Sequence, residues 1–186
     1  PSVQACQADH GKFQPLGRMD GEDLDPLFQD VEIGLSVHDA FQPGEYLKYR
    51  VYYDNWMTSW MTAGYGTMTV TESEKAFDGR EAYKLEVIGK SAGLFNLFFK
   101  VDDRFLSYVD KEAFLPREFY RQTREGSFSM DESIIYDYEK YTAKSERKET
   151  ALPEGVLDVV SSFYYMRTFE FDTAEAGDEY YINFIM

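Results

Sequence analysis

Gly89-Lys90-Ser91-Ala92-Gly93 has the G-x-S-x-G form of a hydrolase nucleophile elbow, and it follows a strand-like run as that motif requires. A serine there needs a histidine base later in the chain. His10 and His38 are the only histidines, and both precede Ser91 by more than fifty residues. The pentapeptide therefore reads as a glycine turn at a strand end. Asp20-Gly21-Glu22-Asp23-Leu24-Asp25 is acidic like a calcium loop. That ligand pattern wants an oxygen ligand at position five, glycine at six and glutamate at twelve, where this chain has Leu24, Asp25 and Val31. Gly64-Tyr65-Gly66 lacks the third glycine of a dinucleotide fingerprint and sits inside strand alternation, so a bulge or a close backbone approach accounts for it better.

Two carboxylate pairings, Asp102 with Asp103 and Glu118 with Asp137, fit a glycosidase scheme on paper. With 34 acidic residues such pairs arise by chance, and Asp102-Asp103-Arg104 reads as a turn opening the next strand. No catalytic, metal or cofactor constellation withstands this scrutiny. The expectation is a non-enzyme without a cofactor. One apolar feature remains. Trp56 and Trp60 in one run, and Leu94, Phe95, Phe98 and Phe99 in another, gather bulky groups where strands begin or end. They either close the core or line a concave apolar site for a lipid or partner, and the second reading is the functional expectation.

The elements that must position these residues follow from alternation. Thirty of the 32 aromatic residues lie after position 40, in period-two runs such as Leu47-Lys48-Tyr49-Arg50-Val51-Tyr52-Tyr53. Strands are expected at 45–54, 63–71, 81–88, 105–109, 117–124, 133–138, 141–148 and 179–186. Turn signals at Phe77-Asp78-Gly79-Arg80, Asp110-Lys111-Glu112 and Arg124-Glu125-Gly126-Ser127 join them as hairpins in a meander. One segment breaks the pattern: Asp158 can cap a helix with Val159, Phe163 and Met166 on one face, running to about Thr168. The fold expected is mainly β, a single curved antiparallel sheet or half-barrel meander with one principal helix.

Composition bounds the rest. Residues 1–40 hold eight acids, two bases and only Phe13 and Phe28 among aromatics, so they are expected to be an acidic, mobile extension before a β domain at 41–186. The strand-like run reaching Met186 suggests a β domain incomplete at its C-terminal end. A formal net charge of −15 repels nucleic-acid phosphate, which excludes nucleic acid as an expected partner. Cys6 is the only cysteine, so neither a disulfide within the chain nor a multi-cysteine zinc site is available. No window is long and apolar enough for a transmembrane helix.

Phe41-x-x-Gly44-Glu45-x-Leu47-x-Tyr49-x-Val51-x-Tyr53 opens a series of short motifs. It is followed by Ser91-x-Gly93, Val101-Asp102-Asp103-Arg104-Phe105-x-Ser107-Tyr108-Val109-Asp110, Leu115-Pro116-Arg117-x-Phe119, Glu125-Gly126, the block Asp158–Arg167 and Gly177-Asp178. In order and spacing these resemble the domain of unknown function 3108 family of Gram-negative envelope proteins, from about residue 41 onward. The resemblance implies an exported, periplasmic or outer-envelope protein whose curved sheet is similar to the half-barrel lipoprotein carriers. It carries over no catalytic residue. The combined expectation is a non-catalytic envelope protein that binds an apolar ligand or a lipidated partner through its aromatic-rich sheet. A structural or protein-interaction module of the envelope is the alternative, and an enzyme acting on glycans ranks third.

Overall fold

The computed structural model describes residues 40–53, 61–169 and 171–185. Eight strands follow one another as a meander and pair antiparallel in chain order: β1 Tyr46–Tyr53, β2 Met61–Glu72, β3 Ala82–Ser91, β4 Asp102–Asp110, β5 Pro116–Glu125, β6 Phe128–Asp137, β7 Thr142–Ser145 and β8 Glu149–Ala151. The sheet is open, with β1 and β8 at its ends. Among the described residues two α-helices accompany it, α1, Phe95–Phe98, between β3 and β4, and α2, Val159–Met166, after β8, with a short 3-10 turn at Phe171–Thr173.

The turns are those the residues dictate. Gly44 at φ 96° follows Pro43, and Glu45 N donates to Gln42 O at 3.1 Å, the arrangement that proline and glycine favour at the two central positions of a type II turn. Asp78 and Gly79 both take positive φ, 52° and 77°, between the paired residues Phe77 and Arg80, as a tight two-residue hairpin requires. The β4–β5 turn is tied by Asp110, whose Oδ1 accepts from Glu112 N and Ala113 N at 2.9 Å each.

Register sorts the side chains onto two faces. Val70, Leu85, Ser107, Phe119 and Ile134 are successive cross-strand partners on the inner face, and all five are buried. They join Phe41, Tyr83, Val109, Leu152, Val156, Leu157, Val160 and Tyr164 in the core. Ser107 interrupts this apolar row for a reason: its Oγ donates to Asp158 Oδ2 at 2.5 Å, fixing the start of α2 to the middle of the sheet. Asp158 Oδ1 also accepts from Val160 N and Ser161 N, and Ser161 Oγ in turn accepts from Asp158 N, a complete capping box. At the other end of the helix Arg167 grips Glu45 with both amino groups, at 2.5 and 2.8 Å, and donates to Ala40 O at 2.8 Å.

Three expectations need correction. The run 141–148 is not one strand but the first part of a short hairpin, β7 turning into β8, because Ser145 accepts from Lys148 N and its own N–H donates to Lys148 O. The run 179–186 is not a strand of the sheet among its described residues. Its ladder is a single parallel bridge, Leu157 with Phe184, while Ile182 and Ile185 pack on the core and Tyr180 stacks with Phe169. Tertiary packing, rather than strand pairing, satisfies its alternation. Asp102-Asp103-Arg104 is not a turn: it is the first part of β4, paired with Lys90, Gly89 and Ile88.

Candidate functional site

The expected apolar residues divide. Trp56 and Trp60 lie outside the described residues, as do residues 1–39 with His10, His38, Cys6 and the acidic run at 20–25. The other four sit on α1 and its flanks. Leu94, Phe98 and Phe99 are exposed, Phe95 is half-buried, and Leu97 joins them at the surface. Leu97 is 78% exposed and Phe98 85%, so these two side chains contribute nothing to a packed core.

Why this tip stays outside is visible in the local sequence. Leu94-Phe95-Asn96-Leu97-Phe98-Phe99 is apolar on all sides but one, so a four-residue helix cannot turn one apolar stripe inward and leave a polar stripe out. Backbone and short polar contacts fix its place instead. Ser91 Oγ donates to Asn96 Oδ1 at 2.7 Å and accepts from Val101 N at 2.8 Å, bridging the two ends of the connection. Ala92 N donates to Ala63 O on β2. The Phe99 ring lies over the β5–β6 turn, so close that a Cβ on Gly126 would stand 3.1 Å from it, and Phe128 on that hairpin adds another exposed ring. Leu94, Leu97, Phe98, Phe99 and Phe128 are thus bulky apolar groups exposed around one end of the sheet.

Ser91 is accordingly a bracket for α1. Gly93, the last residue of its motif, takes φ 58°. Gly64 is a site of close backbone approach next to a bulge. The β1–β2 register passes from Val51 opposite Gly64 to Tyr52 opposite Thr62, skipping Ala63, and a Cβ on Gly64 would stand 2.4 Å from Lys90 O. Of the carboxylates weighed from sequence, Glu118 bonds Lys75 at 2.6 Å and Asp137 bonds Lys140 at 2.6 Å, each in its own ion pair.

Another carboxyl pair was invisible in the sequence. Asp103 and Glu125 bring their carboxyls near one another, and Asp103 Oδ1 accepts from Arg124 N at 2.8 Å. Burial, then this contact with Asp103, holds the Glu125 carboxyl above its ordinary value. Asp103 follows Gly89 and Gly66 in register, two residues without side chains, so the inner face thins at this end of the sheet. Among the described residues no group of three or more His, Cys, Asp or Glu is placed to hold a metal ion.

The outer face holds a cleft of about 640 Å³ that Leu94, Phe95, Phe98 and Phe99 do not line. Arg104, Leu106 and Tyr108 of β4, Tyr120 and Gln122 of β5, and Asp131 and Ser133 of β6 form its floor. Lys75 from the β2–β3 loop stands at one end, 4.5 Å from the Tyr108 ring centroid, and Glu146 beyond β7 closes one side by accepting from Ser133. Burial, with the hydrogen bond to Glu74, pushes the Tyr108 phenol up to about 12.

An open antiparallel meander closed over one face by a capped helix, with an apolar tip at one end, defines an all-β domain with a single principal helix. The chain belongs to the protein of unknown function family DUF3108, whose model matches residues 48–185. No curated protein matches the chain. No solved structure matches it either. Among the described residues no helix is long and apolar enough to cross a membrane.

Proposed function

We propose that this chain is a non-catalytic, exported domain of the cell envelope, periplasmic or associated with the outer envelope, that engages the acyl part of a lipid or of a lipidated partner through the apolar tip at α1. The observation that carries the reading is the exposure of Leu97 and Phe98, 78% and 85%, beside exposed Leu94, Phe99 and Phe128. A folded domain leaves so concentrated an apolar group in water at a cost, and covering it with hydrocarbon recovers about 0.8 kcal/mol for each methylene buried. Lys100 flanks the tip as an exposed cation suited to meet an anionic headgroup, and Lys90 on the other side is paired with Asp102 at 3.2 Å. The export rests on the motif resemblance that begins near Phe41.

Saturable binding of a palmitoylated peptide by the full chain, weakened at least tenfold by Phe98→Glu with an unchanged melting temperature, is the expected result. Absence of saturable binding, or equal binding by the variant, overturns the reading of the tip. Fractionation of the native cells tests the location separately: recovery in the cytoplasm contradicts export.

A further inference from the structure

The outer-face cleft shares no lining residue with the apolar tip and has a chemistry of its own. Most of its charged side chains are already matched. Arg104 Nε donates to Glu86 Oε1 at 2.6 Å, Lys75 bonds Glu118 at 2.6 Å, Asp131 takes both oxygens to Arg124 at 2.7 and 2.8 Å, and Glu146 accepts from Ser133. Three cations, Lys75, Arg104 and Arg121, face three anions, Asp131, Glu132 and Glu146, although the chain as a whole carries −15. A phosphate finds no net positive field here, and a metal ion finds no free carboxylate cluster. What the cleft offers instead is an apolar floor of Leu106 with the Tyr120 ring, which is 36% exposed and packs edge-on against Tyr108 at 6.3 Å. Around it stand planar polar groups held by their own partners, the Asp131 carboxylate on Arg124 and the Arg104 guanidinium on Glu86, with the exposed Gln122 amide directly opposite Asp131 in register.

We propose that this cleft is a binding site for a neutral saccharide. A sugar ring has one C–H face that stacks on an aromatic ring and a rim of hydroxyls that both donate and accept. That ligand needs an exposed ring beside fixed planar amide, carboxylate and guanidinium groups, with no net charge. A volume of about 640 Å³ lies within the range of small-ligand sites and has room for one to three hexose units. Binding and not hydrolysis is the assignment, because Asp131 and Glu146 are each engaged by a donor.

The test is a titration of the full chain with cellobiose, maltotriose and N,N′-diacetylchitobiose, followed by amide and tyrosine-ring NMR shifts. At least one sugar is expected to give saturable shifts centred on Leu106, Tyr120 and Gln122. Tyr120→Ala should weaken that binding at least tenfold, as should the exposed-surface variant Gln122→Ala, while Tyr120→Phe retains the stacking ring and binds within a few-fold of wild type. Phe98→Glu, at the tip, should leave the shifts in place, so failure of the tip reading and failure of this one are distinguishable. No saturable shift from any of the three sugars, unchanged binding in both alanine variants, or saturation of the same residues by inorganic phosphate alone overturns the proposal.

Discussion

α2 lies over the inner face of the sheet, α1 stands at one end of it, and the two are held by opposite means. α2 is fixed by side chains: Asp158 caps it and is itself held by Ser107, Arg167 binds back to Glu45, and Val160 and Tyr164 fill the core. α1 has no side-chain cap and no buried residue, and it is positioned by Ser91, by Ala92 N on Ala63 O and by a glycine in β2 that lets two backbones close. The difference teaches that apolar content does not decide burial. In Val-Val-Ser-Ser-Phe-Tyr-Tyr-Met the two serines are small enough to be buried beside Val160 and Tyr164 while Phe163 stays half exposed, and Leu-Phe-Asn-Leu-Phe-Phe has no such close-packing side.

The comparison breaks most readily at the core. Phe119 is fully buried on the inner face next to Ser107, so Phe119→Ala removes a ring from a packed site. Denaturant unfolding should show a loss of about 3–5 kcal/mol. A loss under about 1 kcal/mol would mean that the inner face is loosely packed and that the contrast with the tip is false.

Gly64→Ala addresses the α1 end. The added Cβ meets Lys90 O, a backbone atom that cannot rotate away, so β2 or β3 must shift. A stability loss of about 1–3 kcal/mol is expected, with altered amide shifts from Ala63 to Asn96 and none at α2. Perturbation spread evenly over both helices would show that α1 is not positioned by this approach.

Much of this arrangement was legible in the sequence, and what was not has a common cause. The Asp158 cap announced α2, although the face it buries is Val160, Ser161, Ser162 and Tyr164 and not the expected Val159, Phe163 and Met166, and Asp78-Gly79 and Pro43-Gly44 announced their turns, because each depends on residues a few positions apart. The cleft draws on positions 75, 104–108, 120–122, 131–133 and 146, and the Asp103–Glu125 contact on residues 22 positions apart. Register alone brings these together, and alternation leaves register undetermined. The run 179–186 misled for a related reason: alternation tells that one side is buried, not that a strand lies alongside.

A third prediction sharpens the account of α2. Asp158 is fully buried, and burial raises its carboxyl from 3.8 to about 6 even against the lowering effect of its Ser107 bond. The folded state therefore holds this proton more tightly than the unfolded one. The contribution to stability is complete below 3.8 and is lost as pH rises through about 6. Relative to Asp158→Asn, which has no carboxyl to titrate, wild-type stability should fall by on the order of 2 kcal/mol across that window. A difference curve that is flat from pH 3.5 to 6.5 contradicts it.

The smallest expected effect is the most telling for the tip. Phe98 is 85% exposed, so truncating it removes almost no buried surface and opens no cavity. Phe98→Ala should change unfolding free energy by no more than about 0.5 kcal/mol, as surface substitutions generally do, although the same substitution at Phe119 costs several times that. Leu97→Ala, at 78% exposure, should behave alike. Should either variant lose more than about 2 kcal/mol, the ring or the leucine is covered in solution by contacts within the chain, and the tip is a piece of core. If both are neutral for stability while Phe98→Glu abolishes capture of the palmitoylated peptide, these side chains are kept at the surface for what they touch outside the domain.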